Sequence, residues 1–213
     1  MNFNYVNKIK KEKLFDLTLK LCQYEFLMDG TNSVWCRFFD PDILKLLEYR
    51  EDIKYHCKYG YRHEISRLMA CDLVGNLVDS LNTISQSPKA TNISKINVYF
   101  THSSTMLPFF AVMGIGNNTN NFNFDNIVVE NKNRSYKITK LDPMNSNIAF
   151  VLYNCEEDTT SPFKVRAFHN ENLIQLNGCS STDCQFNEFS KFYTQFRNDC
   201  GSSKKVCQLK RKD

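Results

Sequence analysis

The sequence of 213 residues has no run that approaches about 18 consecutive apolar residues, so we expect no membrane-spanning helix in it. None of its nine cysteines belongs to a Cys-x-x-Cys motif, which excludes a zinc ribbon and a thioredoxin-like redox site. The formal net charge is only +4 and the basic residues are spread along the chain. This charge balance does not favour nucleic acid as a partner.

Two further features bear on the cellular compartment and point in opposite directions. Nine cysteines exceed ordinary usage and favour disulfide bonds, and Asn-x-Ser/Thr triplets begin at Asn92, Asn117 and Asn133. These triplets accept glycans only in a chain that enters the secretory pathway. The start of the sequence is polar, without the apolar run of about 7–15 residues that a signal peptide needs. We therefore expect Met1 to be an internal start.

The first half of the sequence has the pattern of helices. Apolar residues recur at three- and four-residue steps within residues 7–28, which is the spacing of an amphipathic helix. Asp40 followed by Pro41 is typical of a helix start, and we predict a helix over residues 40–55. A third apolar-periodic segment covers residues 63–84.

The pattern changes after the polar stretch SQSPKATN at residues 85–92. Apolar and polar residues then alternate as they do in β-strands, at residues 93–100, 148–153 and 163–168. Helices are predicted over residues 104–113 and 187–197. We predict an α/β fold in which residues 1–90 form a mainly helical segment and residues 91–213 a partial α/β core, together in one structural unit. So few strands indicate that partner strands lie outside the sequence.

The most specific signal is the segment SKINVYFTHSSTMLPFFAVMG at residues 94–114, a strand that ends in a histidine and runs directly into a helix. It resembles the proton-donor segment of the histidine acid phosphatases of the inositol polyphosphate type, in the histidine phosphatase superfamily. In that family a His-Ala-Glu sequence is followed by Thr-Leu-Leu-Pro. The matching residues here are His102, Ser103, Ser104, Thr105, Met106, Leu107 and Pro108.

Four other segments resemble the same family and occur in the same order. They are Trp35-Cys36 and the stretches at residues 46–61, 147–156 and 163–176. The resemblance extends over nearly the whole sequence. It implies the carboxyl-terminal half of the histidine phosphatase fold, with a partial mixed sheet flanked by helices and part of a helical cap.

The resemblance also implies a reaction for which this sequence lacks residues. In the family, the histidine of an Arg-His-Gly-x-Arg-x-Pro motif attacks the phosphorus, and an acidic residue protonates the leaving oxygen. That motif is absent, and only His63 follows an arginine. His102 matches a phosphate-contacting histidine; the alternative is a polar residue at a strand-to-helix turn. Ser104 stands at the proton-donor position but has no acidic proton to give, and a serine there is also a preferred helix cap.

Basic residues form the second group of candidates. Lys54, Lys58, Arg62, Arg134 and Lys137 match positions near which the family gathers positive charge around polyphosphorylated substrates. We take Lys58, Arg134 and Lys137 as candidate substrate-binding residues. The alternative is a solvated basic surface.

The resemblance pairs some of the cysteines. Cys22 and Cys36 match a pair with identical spacing, and Cys200 with Cys207 has a close counterpart. Cys179 and Cys184 close a tight loop that could also be bridged. The partners of the remaining three cysteines stay open; these are Cys57, Cys71 and Cys155. Because nine is an odd number, one cysteine is left without a partner in the chain.

Three functional hypotheses follow from these observations. By resemblance, the chain is part of a secreted or endoplasmic-reticulum phosphatase for inositol polyphosphates or other phosphomonoesters, needs no metal or cofactor, and lacks its amino-terminal half. It would then be inactive by itself. Alternatively, it is a pseudoenzyme that binds a phosphorylated ligand or a protein. The third hypothesis is a chain that folds poorly, because half of a core leaves apolar faces uncovered.

Overall fold

A computed structural model describes residues 11–30, 33–117, 134–155 and 162–200 of the chain. The chain divides into two compact units, Met1–Glu48 and Tyr49–Asp213. The boundary between the units lies inside the second α-helix. The division of the sequence at residue 90 stays a prediction.

The first unit is built from helices and one disulfide bond. It contains helix α1 (Lys11–Asp29), a 3-10 helix (Val34–Phe38) and the beginning of helix α2 (Pro41–Tyr59). A disulfide bond joins Cys22 of α1 to Cys36 of the 3-10 helix. Asp40 caps α2 as predicted, because its Oδ1 accepts hydrogen bonds from the amides of Asp42 (2.9 Å) and Ile43 (2.8 Å).

The helices of the second unit are short, apart from the two that flank its core. They are α3 (Glu64–Leu68), α4 (Cys71–Gln86), α5 (Ser103–Met113), α6 (Ile138–Leu141) and α7 (Phe186–Asp199). The apolar-periodic segment predicted at residues 63–84 is therefore two helices with a break at Met69 and Ala70.

A small antiparallel sheet completes the second unit. Its strands are β1 (Ile148–Asn154), β2 (Phe163–His169), β3 (Asn172–Ile174) and β4 (Cys184–Gln185). Strand β2 lies in the middle, paired with β1 on one edge and with β3 and β4 on the other. The predicted α/β class is confirmed. The mixed sheet is not seen, since every strand pair among the described residues is antiparallel.

The strand predicted at residues 93–100 was wrong. No residue of this stretch has a ladder partner among the described residues, although its backbone is described throughout. Ile96 is 80% exposed and Phe100 is 96% exposed. An alternating sequence provides one apolar face, but a strand also needs a neighbour to pair with its N–H and C=O groups.

Helix α5 forms the centre of the core, because its side chains are buried on all sides from Leu107 to Met113. Around it pack apolar residues of α4, α7 and β2, which are Val74, Val78, Phe189, Tyr193, Val165 and Ala167. The spacing of Val74 and Val78 by four residues puts both on one face of α4. None of the helices in the described part of the chain is long and apolar enough to cross a membrane.

Disulfide bonds also cross-link the second unit. One joins Cys179 to Cys184, the tight loop of the sequence analysis, and another joins Cys71 to Cys200. The pairing of Cys200 with Cys207 was therefore wrong. Helices α4 and α7 pack side by side and bring the Cα atoms of Cys71 and Cys200 to 6.1 Å, within bonding reach. The remaining described cysteines, Cys57 and Cys155, are free and half-buried, and Cys207 lies outside the described residues.

Candidate functional site

The predicted phosphate-contacting histidine lies at the amino-terminal end of α5. His102 is the N-cap residue, with extended backbone angles, and its carbonyl accepts hydrogen bonds from the amides of Thr105 (2.8 Å) and Met106 (3.0 Å). Its imidazole and the Ser104 side chain are both exposed. The amides of Ser103 and Ser104 precede the first of these hydrogen bonds, so this end of α5 carries a partial positive charge.

Ser104 does not cap the helix, which corrects the alternative considered above. The helix begins one residue earlier, at Ser103, and Ser104 belongs to its first turn. That first turn contains no acidic side chain. A serine hydroxyl cannot act as a general acid near neutral pH, so this turn offers no proton to a leaving group.

The opposite end of α5 is fixed by the loop between β3 and β4. Asn177 donates from its side chain to the carbonyl of Val112 (3.1 Å) and from its backbone amide to that of Met113 (3.0 Å). Tyr193 donates to the carbonyl of Asn177 (3.0 Å). Gly114 ends the helix with a φ of 87°, and a Cβ there would lie 2.4 Å from the Asn177 Oδ1. The helix is thus held at one end, and His102 projects from the other.

One of the three candidate cations is buried in an ion pair. The guanidinium of Arg134 is buried and donates from Nε to the carboxylate of Asp52 (2.5 Å), which is completely buried. The other carboxylate oxygen of Asp52 accepts a hydrogen bond from the amide of Ile138 (2.8 Å). The guanidinium also lies over the ring of Tyr49, 5.3 Å from its centroid. Arg134 therefore stabilises the fold, and we leave it out of the proposed site.

The two candidate lysines are on other elements. Lys58 is exposed near the end of α2, with its ammonium 4.9 Å from the centroid of the Tyr59 ring. Lys137 is half-buried and is the N-cap residue of α6. No hydrogen bond or ion pair among the described residues joins His102 to Lys58, Arg134 or Lys137.

Two of the four histidines take part in the packing of the core. Burial, together with the positive charges of Arg62 and His63, lowers the pKa of His56 from its usual 6.5 to about 4. Its ring meets the ring of Tyr136 edge-on at 5.0 Å. His169 makes a hydrogen bond of 2.8 Å between Nε2 and the carbonyl of Leu141. His63, by contrast, is an exposed N-cap residue of α3.

Sequence analysis missed Asp52, which forms the buried ion pair. A signal for it was present, because Asp52 lies three residues after Tyr49 and three before Tyr55, on the apolar face of α2. A carboxylate on an apolar helix face is buried only with a partner, so its position predicts one. In the described ranges, no three histidine, cysteine or acidic side chains are grouped so that they could hold a metal ion.

Comparison with known proteins gives a consistent result. The family model for the histidine phosphatase superfamily (branch 2) matches residues 3–170. Multiple inositol polyphosphate phosphatase 1 of Homo sapiens is 28% identical over 202 residues, or 93% of this chain and 41% of that protein. The protein of the same name from Drosophila melanogaster is 30% identical over 87% of this chain and 38% of its own length.

A yeast enzyme is also similar. Acid phosphatase PHO11 of Saccharomyces cerevisiae is 23% identical over 88% of this chain and 38% of its own length. The chain thus spans about two fifths of the length of these curated relatives. The family match extends from the first unit into the second as far as residue 170 and includes the segment that ends in His102. The chain therefore belongs to branch 2 of the histidine phosphatase superfamily.

Proposed function

We propose that this chain supplies the phosphate-contacting side of a histidine phosphatase site, and that it binds phosphate esters of the inositol polyphosphate class without hydrolysing them. One observation carries the proposal. His102 is exposed at the amino-terminal end of a buried helix, in the segment that resembles the family, while Ser104 replaces the acid two residues later. The relatives named as inositol polyphosphate phosphatases support this choice of ligand.

Binding has a physical basis at this end of α5. The amides of Ser103 and Ser104, at the start of the helix, are available to an approaching anion, and the partial positive charge of the helix terminus favours a phosphate group. The imidazole of His102 is an additional hydrogen-bond donor for a phosphate oxygen. Lys58, which is exposed, and Lys137 are the candidate cations for the remaining phosphates of a polyphosphorylated ligand.

Hydrolysis lacks two of its participants. His56 and His169 are packed in the core, and His63 follows an arginine but lacks the Gly, the second Arg and the Pro that accompany the attacking histidine of the family. A positioned proton donor contributes about 10²–10⁴-fold to such rates, and Ser104 cannot provide that contribution. We therefore expect no turnover by this chain alone.

Calorimetry with inositol hexakisphosphate, together with a phosphate-release assay, tests the proposal. We expect measurable binding that His102→Ala weakens about 10-fold or more, because a hydrogen bond to a charged group is lost. The matched control is His63→Ala, which removes another exposed N-cap histidine and should leave binding unchanged. Phosphate release above that of His102→Ala, or equal binding by His102→Ala and the unaltered chain, would contradict the proposal.

A second candidate function is an active phosphatase completed by a further stretch of polypeptide. It is favoured by the extended residues 96–101, whose apolar side chains are exposed and whose backbone has no ladder partner among the described residues. The added polypeptide would carry the attacking histidine and pair with this segment. The disulfide bonds support a secretory or endoplasmic-reticulum location for such an assembly.

Complementation tests the second candidate. The chain, as such and with Ser104→Glu, is refolded with the amino-terminal half of the human relative. On this candidate we expect slow phosphate release from the mixture with the unaltered chain, and release about 10²–10⁴-fold faster with Ser104→Glu, since the unaltered mixture still lacks a proton donor. Failure of both mixtures to release phosphate, with complex formation verified by gel filtration, would exclude this candidate.

A further inference from the structure

We propose that Asn92 carries an N-linked glycan. The triplet Asn92-Ile93-Ser94 has the acceptor pattern, with a residue other than proline in the middle. It follows the end of α4 at Gln86, in a stretch that is neither helix nor strand. This inference is independent of the function proposed above, because it rests on other residues and on the disulfide bonds of the chain.

The position can hold a large group without disturbing the core. The side chains of Asn92 and Ser94 are exposed, and only Ile93 between them is half-buried. Ser94 donates its hydroxyl to the nearby carbonyl of Ile96 (2.8 Å), so the turn is closed by its own residues. A glycan on the amide of Asn92 would extend into solvent and displace no described contact.

The disulfide bonds indicate the compartment in which such a modification occurs. Three bonds join cysteines of the described ranges, and one of them links Cys71 to Cys200, which are 129 residues apart in sequence. Bonds of this kind form and persist in oxidising compartments of the secretory route. Chains that fold there also meet the machinery that glycosylates Asn-x-Ser/Thr triplets.

The chemistry requires one co-reactant, an oligosaccharide joined to a polyprenyl pyrophosphate. The side-chain nitrogen of Asn92 forms a bond to the anomeric carbon of the first sugar. The bond from that carbon to the pyrophosphate oxygen breaks, and the lipid pyrophosphate leaves with the electron pair. The amide gives up one proton to a base of the transferase, and nothing is oxidised or reduced.

The other two triplets do not carry this inference. Asn117 is exposed, but the two residues that complete its triplet lie outside the described part of the chain. Asn133 also lies outside it. The proposal is therefore limited to Asn92, and its test must distinguish this site from the other two.

The experiment begins with the full chain isolated from the cells that express it. Peptide-N-glycosidase treatment in heavy-oxygen water converts a glycosylated asparagine into labelled aspartate, which mass spectrometry assigns to one peptide. We expect the label at Asn92 in a chain whose Cys71–Cys200 bond is intact. An unlabelled Asn92, whether or not the disulfide bond is present, would overturn the proposal.

Variants secreted from a eukaryotic host give a matched comparison. Asn92→Gln and Ser94→Ala should each remove the Asn92 label and one step of gel mobility, whereas Ser94→Thr should keep both. Asn97→Gln is the control, because Asn97 is exposed nearby but begins no acceptor triplet. Identical gel mobility of Asn92→Gln and the unaltered chain would also count against the proposal.

Discussion

The β1–β2 hairpin and the extended segment at residues 94–102 differ in what lies beside them. Strand β2 has neighbours on both edges, and its Val165 is 0% exposed. The segment at residues 94–102 has no ladder partner in the described part of the chain, and its Val98 is 67% exposed. Both stretches alternate apolar with polar residues, so the difference arises from their surroundings.

The comparison shows what the alternation of a sequence contributes to a strand. Burial of a valine side chain stabilises the fold by about 1.5–3 kcal/mol, but only if another surface covers it. Backbone groups likewise need partners before an extended chain becomes part of a sheet. The hairpin obtains both from α5, α7 and its neighbouring strands, whereas the segment at residues 94–102 obtains neither from the described residues.

The largest expected effect contrasts the same residue type in the two regions. Val165→Asp should destabilise the chain by about 4 kcal/mol or more, because it buries a carboxylate without a partner. Val98→Asp should change the free energy of unfolding by no more than about 0.5 kcal/mol, as exposed positions do. Urea unfolding followed by circular dichroism measures both changes. Similar losses for both variants would mean that residues 94–102 are covered in solution.

The second prediction compares a buried ion pair with an exposed one. Arg134→Ala should lower the free energy of unfolding by about 3–5 kcal/mol, because it leaves the carboxylate of Asp52 buried without its cation. Arg197→Ala removes a partner of Asp79 from an exposed pair and should have an effect of about 1 kcal/mol or less. Thermal unfolding of both variants measures the two losses of stability. Equal losses would show that the Asp52–Arg134 pair is open to solvent.

The third effect concerns the bond between α4 and α7. Replacing Cys71 and Cys200 together by serine should destabilise the chain by about 2–4 kcal/mol, since this bond closes a long loop in the unfolded chain. Replacing Cys179 and Cys184 should have a smaller effect, because only five residues separate them. Urea unfolding without reductant measures the two losses. The reverse order would count against the loop-entropy explanation.

The smallest effect is a pH dependence of the stability. The unfolded chain protonates His56 near pH 6.5, and the folded chain does so only near pH 4. Between these values the unfolded state binds more protons, so the free energy of unfolding decreases as the pH falls. We expect this decrease in the free energy of unfolding to be about 1 kcal/mol, because solvent screens a ring that is only partly buried. His56→Phe should flatten this part of the profile.

Local patterns predicted most of the helices. The cap at Asp40 and the apolar spacing of α4 depend on residues within one or two turns, so the sequence shows them directly. Apolar spacing alone did not reveal the break at Met69 and Ala70, because periodicity continues through a short turn. The cysteine pairs divide in the same way. The short-range pair Cys179–Cys184 could be proposed from the sequence, whereas Cys71–Cys200 depends on two distant helices lying side by side.

In the candidate site, too, the sequence identified some residues but not all of their contacts. The resemblance identified His102 and the substitution at Ser104, but it also suggested Arg134 as a ligand for substrate. The structure instead shows Arg134 paired with Asp52, 82 residues away in sequence. A charge pattern shows that a cation is present and does not show which carboxylate it meets.

The amino-acid sequence by itself determined the superfamily, the α/β class, the main helices and the presence of a serine at position 104. These properties depend on residue identity and short-range spacing, which are written in the chain. Only the tertiary structure decided that residues 94–102 have no ladder partner among the described residues, that Arg134 is buried, and that Cys71 bonds Cys200. The reason is physical, because burial, charge pairing and cross-linking depend on which distant surfaces meet when the chain folds.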